Sequence, residues 1–573
     1  MTRNSEVATV LKEIAILLDV EGKDKFKPRA YYRAVRTVGA LGEDIEAVAK
    51  RDELTSIPGV GKGLAGLIKT YLETGKVEIL DELRAKIPVK VMELEAIPGL
   101  GPKKIKLLYE EIGVTDLDSM EKAADDDKIS VLKGMGKKTQ DQILAGIQLV
   151  RSGLGRTLYA DAQPIVDRIL EVVSQVSGVR RAEVAGSFRR RRETVGDIDI
   201  IVDADDAEPV MDAFVVIDDV VDIIVRGPTK SSIRLKSNLP VDLRVLPADS
   251  YGAGMQYFTG NVDHNVQMRA IARKRNLRLN EYGLFKGEKK KKIAGEDEER
   301  IYAALGMSWI PPELRENAGE IEAAQNGELP TLIELKDIRG DLHSHTDQSD
   351  GSYPIEEMLD AADAKGYSYY CVSDHTQSLT IANGMNETRL LKRIDEIDDL
   401  NASGRWKMKI LKGAEVDILS AGELDIRNDV LEQLDIVTAS IHSRMKDDKK
   451  TMTNRVCRAL ESTYVHILGH PTGRQIHKRE EFEIDLERVF ETAKANNIAM
   501  ELNAHPRRLD LNAGNLRTAI GMGLKITINT DAHKLYELDN MKFGIYQARR
   551  GWVTKKDVLN TYTLKGLLRA IKK

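Results

Sequence analysis

The chain has 573 residues, 42% apolar and 31% charged, with a formal net charge of −5, a length that calls for several domains with separate cores. Two cysteines, Cys371 and Cys457, exclude a disulfide framework or a thiolate zinc site between them. No apolar run is long enough to cross a bilayer and the N-terminus lacks a signal-peptide pattern, so a cytoplasmic protein with no membrane partner is expected.

Residues 1–150 read as short amphipathic helices broken by Gly-Pro turns, with Leu11, Ile14, Leu17 and Leu18 at helical spacing. A repeat runs through them. Ile57-Pro58-Gly59-Val60-Gly61-Lys62 returns as Ile97-Pro98-Gly99-Leu100-Gly101-Pro102-Lys103, and a weaker copy is Leu132-Lys133-Gly134-Met135-Gly136-Lys137-Lys138. A glycine turn opening a helix exposes backbone N–H groups at the positive end of the helix dipole, where phosphate binds without any reading of base sequence. One such turn is ordinary helix punctuation. Two near-copies, each followed by lysine and an apolar helix, point to a phosphate-gripping pair of turns; they resemble helix-hairpin-helix DNA-binding motifs, which implies DNA-backbone contacts by Gly59, Gly61, Lys62, Gly99, Gly101 and Lys103.

From about residue 165 the pattern changes. Val172 to Val184 leads into Asp197-Ile198-Asp199-Ile200-Ile201-Val202, whose alternation predicts a strand; Val220–Val225, Ile233–Leu235 and Val241–Val245 continue a sheet. Residues two apart on a strand share a face, so Asp197 and Asp199 project together, and Asp242 joins them from a neighbouring strand. Three such carboxylates suit a pair of divalent ions and phosphoryl chemistry. Upstream, Gly186 and Ser187 offer a turn amide and a hydroxyl to phosphate oxygens, Arg190 offers a planar cation, and Gly196 directly precedes Asp197. A bare Asp-x-Asp is most often a surface strand; the Gly-Ser turn and the third aspartate reverse that preference. Basic runs occur at Arg189–Arg192 and Lys289–Lys292, with a cluster from Arg269 to Arg278. Residues 313–338, acidic and polar with the single proline Pro330, read as a linker.

After residue 339, strand-like runs (Tyr369–Val372, Met408–Leu411, Ile436–Ala439, Ile498–Leu502, Lys525–Asn529) alternate with helical stretches, an α/β arrangement. Nine of the ten histidines fall between His343 and His533. Six of them sit in short segments that mix imidazole with carboxylate. These are Asp341-Leu342-His343-Ser344-His345 with Asp350, then Asp374-His375, Glu415, His442, His470 and Asp531-Ala532-His533. Such donor sets suit Zn²⁺ or Mn²⁺ and hydrolytic chemistry. His343 and His345 alternate on an expected strand, and the later candidates stand at or beyond strand ends, where a βα barrel gathers its functional groups. His466, His477 and His505 read as ordinary hydrogen-bonded histidines.

The Gly186–Asp199 segment resembles the nucleotidyltransferase palm of family X DNA polymerases. Tyr257-Phe258-Thr259-Gly260 resembles that family's sugar-reading turn, Asn265 and Arg269 fall at base-contacting and template-side positions, and Asn280-Glu281-Tyr282 resembles a thumb motif. The resemblance implies a multidomain chain. It divides into an α-helical DNA-binding domain with a helix-hairpin-helix (1–80), fingers with a second (81–150), an α+β palm (151–248) and thumb (249–315), and a linker (316–338). It further implies deoxynucleoside triphosphates added to gapped or primed DNA, with two Mg²⁺ or Mn²⁺ on Asp197, Asp199 and Asp242. Nucleotide contacts would come from Gly186, Ser187, Arg190, Gly196, Tyr257, Phe258, Gly260 and Asn265, with Tyr257 or Phe258 excluding a ribose 2′-OH, and DNA contacts from Arg269. Three departures stand out. Leu67 occupies the place of the Schiff-base lysine of lyase members, which predicts weak or absent lyase activity. Pro240 replaces an arginine two residues before Asp242, and Asn261 and Val262 follow the sugar-reading turn in place of the usual residues.

Residues 339–573 resemble the PHP (polymerase and histidinol phosphatase) family, which implies a distorted (β/α)7 barrel holding up to three Zn²⁺ or Mn²⁺. His343, His345, Glu415 and Asp531 would hold one ion; Glu415, His442 and His470 a second; Asp350, His375 and His533 a third. Arg444 and Arg474 are candidate phosphate clamps. The combination resembles bacterial and archaeal family X polymerases with an intact PHP domain, implying monomeric gap-filling repair synthesis coupled to a 3′-5′ exonuclease, 3′-phosphatase or abasic endonuclease. Two alternatives remain open at this point: a barrel that hydrolyses pyrophosphate or small phosphate esters, and a non-catalytic scaffold on gapped DNA.

Overall fold

The structure, a computed structural model, describes residues 3–23, 27–39, 45–95, 97, 99–151, 156–286 and 291–572; Pro98 of the second glycine turn and Lys289 and Lys290 of the basic run lie outside these. Residues 3–151 are helical. Leu11, Ile14 and Leu17 of helix Arg3–Glu21 share one apolar core with Leu83 of Glu78–Lys86 and Leu108 of Pro102–Ile112. Segments 1–80 and 81–150, expected as two domains, therefore meet in a common interior. All three glycine turns have the same shape. Gly59, Gly99 and Gly134 take φ of 89°, 77° and 84°, a region open to glycine. The N–H of Val60, Leu100 and Met135 bonds the carbonyl three residues back at 2.9, 3.0 and 2.9 Å. Helices follow at Lys62–Thr74, Pro102–Ile112 and Lys137–Arg151.

The palm is a five-stranded sheet in the spatial order Val179–Val184, Ile198–Ala204, Pro240–Leu246, Lys230–Leu235, Val220–Arg226. Its second and third strands run parallel and set Asp199 directly beside Asp242. Alternation turns Ile198, Ile200, Val241 and Leu243 into a core shared with Val166, Ile169 and Val173 of helix Tyr159–Ser174. Pro240 leads its strand, where a missing N–H is tolerated.

The thumb comprises helices Tyr251–Thr259 and Val262–Lys274, three antiparallel strands from Leu277 to Ala294, and helix Glu298–Ala304. Residues 316–338 depart from the expected linker. Ile321, Ala324 and Leu332 join the core of Tyr302 and Leu305, and Glu320–Asn326 is a helix. Acidic groups in and around this segment are paired internally. Fully buried Arg315 donates to Glu298 at 2.6 Å, Glu298 also takes two bonds from Arg189 at 2.9 Å, and buried Glu320 meets His264 at 2.7 Å.

Seven parallel strands, in chain order from Gly340–Asp341 to Ile526–Asn529, form the C-terminal barrel. It closes just beyond its first and last strands. Ser344 bridges Ala532, Asp531 N–H bonds the His343 carbonyl at 3.0 Å, and His345 N–H bonds the Ala532 carbonyl at 2.9 Å. His343 and His345, expected within a strand, thus lie on an extended segment past its end. The barrel is docked on palm and thumb: its Leu509 and Phe543 enter the palm core, and Arg549 holds Glu313 at 2.7 Å. Among the described residues no helix is long and apolar enough to cross a membrane.

Glu298→Gln leaves Arg315 as a buried cation without its counter-charge, a change that costs about 3–5 kcal/mol. Urea unfolding with hydrogen exchange read over residues 298–326 is expected to find this segment opening first. A loss below about 1 kcal/mol, the range of exposed pairs, would show that the pair contributes little.

Candidate active sites in the palm and the barrel

In the palm, Asp197 is exposed at the entry to strand Ile198–Ala204, and Asp199 and Asp242 are register partners one strand apart. Gly186, at φ 60°, presses on Asp199; a Cβ there would strike the carboxylate. The Ser187 hydroxyl is buried without a hydrogen-bond partner, an unmet group that a phosphate oxygen would satisfy. Burial, then the charges of Asp197 and Asp242, push Asp199 up to about 7. Lys230, which the sequence did not mark, places its ammonium 2.6 Å from Asp242. Three carboxylates with too few cations around them fit divalent metal.

The nucleotide candidates are less uniformly open. Arg190 donates to the Thr259 carbonyl and, at 3.1 Å, to Glu316. Gly196 lies against the Arg156 guanidinium. Tyr257 and Phe258 meet edge to face at 5.1 Å, and Arg244 covers the Phe258 ring at 4.6 Å. Gly260 ends their helix at φ 68°. The Asn265 amide, expected to face a base, is engaged internally: it accepts from Gln256 at 2.7 Å and donates to the Tyr257 carbonyl at 2.6 Å. Arg269 is half-buried on the same helix, Val262–Lys274. Gly59, Gly61, Lys62, Gly99 and Lys103 are exposed and Gly101 is half-buried, while Leu67 packs against the helical core.

In the barrel the nine predicted residues converge. Glu415, from strand Lys409–Asp417, stands at the centre. It lies 3.4 Å from His343, 3.6 Å from His345, 2.8 Å from His375, 3.3 Å from His442 and 2.9 Å from His470. Asp531 is 3.0 Å from His345, and Asp350 is 3.2 Å from His533 and 3.6 Å from His375. Donor atoms of His345, Asp350, His375 and His533 lie within 4.8 Å of one another, as do those of His343, His345 and Glu415, and of His375, Glu415 and His442. His345 and His375 thus each face two groups, a mixing that the resemblance did not imply. His343 Nε2, His345 Nδ1, His375 Nδ1 and Glu415 Oε2 are buried without hydrogen-bond partners. Unmet buried nitrogen and oxygen donors of these types fit divalent metal.

Electrostatics follows from this crowding. Burial opposes ionisation of Glu415, but His375, His442 and His343 hold its carboxyl well below the usual range. Burial likewise opposes charging of the imidazoles. Glu415 and Asp417 nevertheless raise His442 to about 10, and Asp350 and Asp531 raise His533 to about 9. Burial and the neighbours His533 and His375 lower His345 to about 4.

Sequence reasoning missed a supporting ring. Glu501 faces His343 Nδ1 at 2.8 Å and accepts the His470 N–H at 2.7 Å; Asp417 faces His442 Nδ1 at 3.0 Å; Asn503 donates to Asp531 at 2.9 Å. Such partners orient ligating imidazoles. Strand alternation carried the signal, since Asp417 follows Glu415 by two and Asn503 follows Glu501 by two. Of the two arginine clamps, exposed Arg444 pairs with Asp447 at 3.1 Å, and Arg474 is taken up by Glu193 of the palm at 2.7 Å. Arg508 occupies the place expected of a clamp. Its Nε is 3.5 Å from Asp531 and one terminal nitrogen is buried without a partner. With Lys478, His505 and Arg507 it lines a cavity of about 260 Å³ that reaches Asp531 and His533. His466 accepts the Val437 N–H at 3.1 Å, as an ordinary structural histidine.

Fold and sites together define a nucleotidyltransferase palm joined to a phosphoesterase-type barrel. Residues 2–77 match the helix-hairpin-helix domain family and 91–148 the SAM-like helix-hairpin-helix tandem; 159–234 match the DNA polymerase beta palm, 254–316 the DNA polymerase beta thumb, and 341–505 the PHP domain. The chain is 39% identical over 567 residues to DNA polymerase/3′-5′ exonuclease PolX of Bacillus subtilis (strain 168), covering 98% of each protein. It is 30% identical over 233 residues to a probable phosphatase of Thermoanaerobacter sp. (strain X514), covering 39% of this chain and 89% of that protein. It is 27% identical over 302 residues to DNA polymerase lambda of Rattus norvegicus, covering 49% of each. The chain belongs to the PolX family, family X DNA polymerases that carry a C-terminal PHP domain.

Asp199 titrates near 7 in the folded chain against an ordinary carboxylate value when unfolded. Its contribution to stability is therefore fully present below about pH 4 and is lost as pH rises through about 7. In EDTA, Asp199→Asn is expected to raise the thermal midpoint by an amount that grows from pH 4 to 7 and then levels. A gain independent of pH would contradict the raised value.

Proposed function

We propose that this chain is a DNA-directed DNA polymerase that fills short gaps in repair, and that its barrel hydrolyses phosphate esters at DNA 3′ ends as a 3′-5′ exonuclease, 3′-phosphatase or abasic endonuclease. The observation that carries the reading is two converged carboxylate and imidazole sites in one chain that is similar over 98% of its length to a polymerase/exonuclease. Divalent cations, Mg²⁺ or Mn²⁺ in the palm and up to three Zn²⁺ or Mn²⁺ in the barrel, supply charge neutralisation and activation of the attacking oxygen when bound. Asp197, Asp199 and Asp242 hold the palm ions. Gly186, Ser187, Arg190 and Gly196 receive the triphosphate, Tyr257, Phe258 and Gly260 frame the sugar, and Asn265 meets the base after leaving its internal bonds. The glycine turns grip phosphates on the template duplex through Gly59, Gly61, Lys62, Gly99, Gly101 and Lys103, with Arg269 at the template. In this reading the palm (151–248), thumb (249–315) and barrel (339–573) keep the expected divisions, while 1–80 and 81–150 act together and 316–338 belongs with the thumb. The chain acts as a monomer in the cytoplasm on gapped or primed DNA.

In the barrel, His343, His345, Asp350, His375, Glu415, His442, His470, Asp531 and His533 form the metal cage. Glu501 and Asp417 keep His343 and His442 oriented, and Arg508 offers its unmet guanidinium edge to a phosphate oxygen. The similarity to probable phosphatases over 35–39% of this chain favours ester hydrolysis as the barrel's chemistry, and the palm carboxylates count against a purely structural scaffold.

On a primed, gapped duplex, Asp197→Ala with Asp199→Ala is expected to abolish extension and spare primer shortening, while His343→Ala with His345→Ala does the reverse. Survival of the targeted activity in either pair removes that assignment. A barrel acting only on pyrophosphate would release phosphate and leave primer length unchanged. Glu501→Gln is expected to lower metal affinity of the barrel about 10–100-fold, read by metal content after dialysis; full metal content would remove the orienting role.

A further inference from the structure

The palm segment from Gly186 to Asp197 carries Ser187, Arg190, Gly196 and Asp197. Phe188 and Val195 anchor its two ends in the palm core, and Arg189 and Arg190 tie it to Glu298 and Glu316, which leaves the Glu193 side chain in its middle to partners outside the palm. The segment contains two left-handed residues, Gly186 at φ 60° and Arg191 at φ 55°, and its only strand pairing is the two-residue ladder of Thr157–Leu158 with Thr194–Val195. So short a ladder is weak on its own.

The barrel adds the support at Glu193. Glu193, in the middle of the segment, accepts from Arg474 at 2.7 and 3.3 Å and from Gln547 at 2.5 Å, both barrel residues. The Arg474 side chain is 12% exposed and that of Glu193 21%, so the pair is largely withdrawn from solvent. Aromatic packing surrounds it. Tyr159 stacks on Phe188 at 4.3 Å and meets Tyr546 of the barrel edge-on at 5.6 Å, while the Arg191 guanidinium covers Tyr546 at 4.2 Å. Ile476, two residues beyond Arg474, packs against the palm core. A bidentate arginine fixes a carboxylate in direction as well as distance.

We propose that Arg474 and Gln547 of the barrel act, through Glu193, as positioning residues for the nucleotide-binding segment of the palm, making the barrel a working part of the nucleotidyl-transfer site. The inference rests on the reading of the palm given above. Neither residue touches nucleotide. Their contribution is to hold Ser187 and Arg190 where a triphosphate meets them, and misplacement of such groups weakens binding before it slows chemistry.

The test uses the full chain on a gapped duplex, with KM for deoxynucleoside triphosphate and kcat measured separately. Glu193→Ala and Gln547→Met are expected to raise KM about tenfold while changing kcat less than about threefold. Glu193→Gln, which keeps acceptor atoms, is expected to fall between parent and Glu193→Ala. Primer shortening by the barrel and the thermal midpoint are expected to stay at parental levels. Parental KM in folded Glu193→Ala and Gln547→Met overturns the proposal. So does a parallel fall in extension, shortening and folded fraction, which marks a merely structural contact; Gln547→Met removes the donor to Glu193 together with the acceptor that Arg550 uses at 3.1 Å, leaves the Glu193 carboxylate in place, and keeps the decision available if Glu193→Ala does not fold. Asp197→Ala separates the two readings. If it leaves extension intact, the palm assignment itself fails, whereas abolished extension with parental KM in the Glu193 variant fails this inference alone.

Discussion

Burial of ionisable groups governs this molecule. Glu415 is 1% exposed and sits among five imidazoles, and Asp199 is packed between two other carboxylates. An uncompensated charge in such a place is costly, so everything around it must supply counter-charge or bind it. The barrel answers with histidines and a supporting ring of Glu501, Asp417 and Asn503. The palm answers with Lys230 on Asp242 and leaves Asp199 short of a partner. In both places the unmet groups are what make the site receptive to divalent ions.

The same constraint explains how the parts are joined. The thumb buries Arg315 against Glu298, and the palm meets the barrel through Glu193 and Arg474. The second of these pairs charges 281 positions apart in sequence, and aromatic surfaces at Tyr159, Phe188 and Tyr546 pack around it. The acidic stretch after residue 313 therefore does not act as a loose tether. Its apolar residues pack into the thumb core, Glu320 meets His264 of the thumb and Glu316 meets Arg190 of the palm, while Glu313 holds Arg549 of the barrel, which gives the two chemistries a defined mutual placement.

Much was legible from local pattern. Asp197, Asp199 and Asp242 were readable because strand alternation is a two-residue rule and the strands were apolar on the other face. The nine barrel residues were readable because histidine and carboxylate recur at the ends of successive strands. The third glycine turn was readable only weakly, yet it folds like the other two, since backbone geometry there depends on glycine at one position and tolerates change elsewhere. Asp417 was marked only by its place two residues after Glu415, and Glu501 by an alternation with Asn503 that names no partner until the strands are packed.

The amino-acid sequence by itself determined the succession of elements, the glycine turns and the identity of the charged groups, because these depend on near-neighbour sterics and on alternation over a few residues. Only the tertiary structure decided which charges meet. Arg474 turned to the palm instead of the metal cluster, Arg508 took the place beside Asp531, Asn265 folded its amide inward, and His345 came to serve two ligand groups. Coulombic pairing acts through space between residues hundreds of positions apart, and no local pattern encodes the partner until the barrel, palm and thumb have packed.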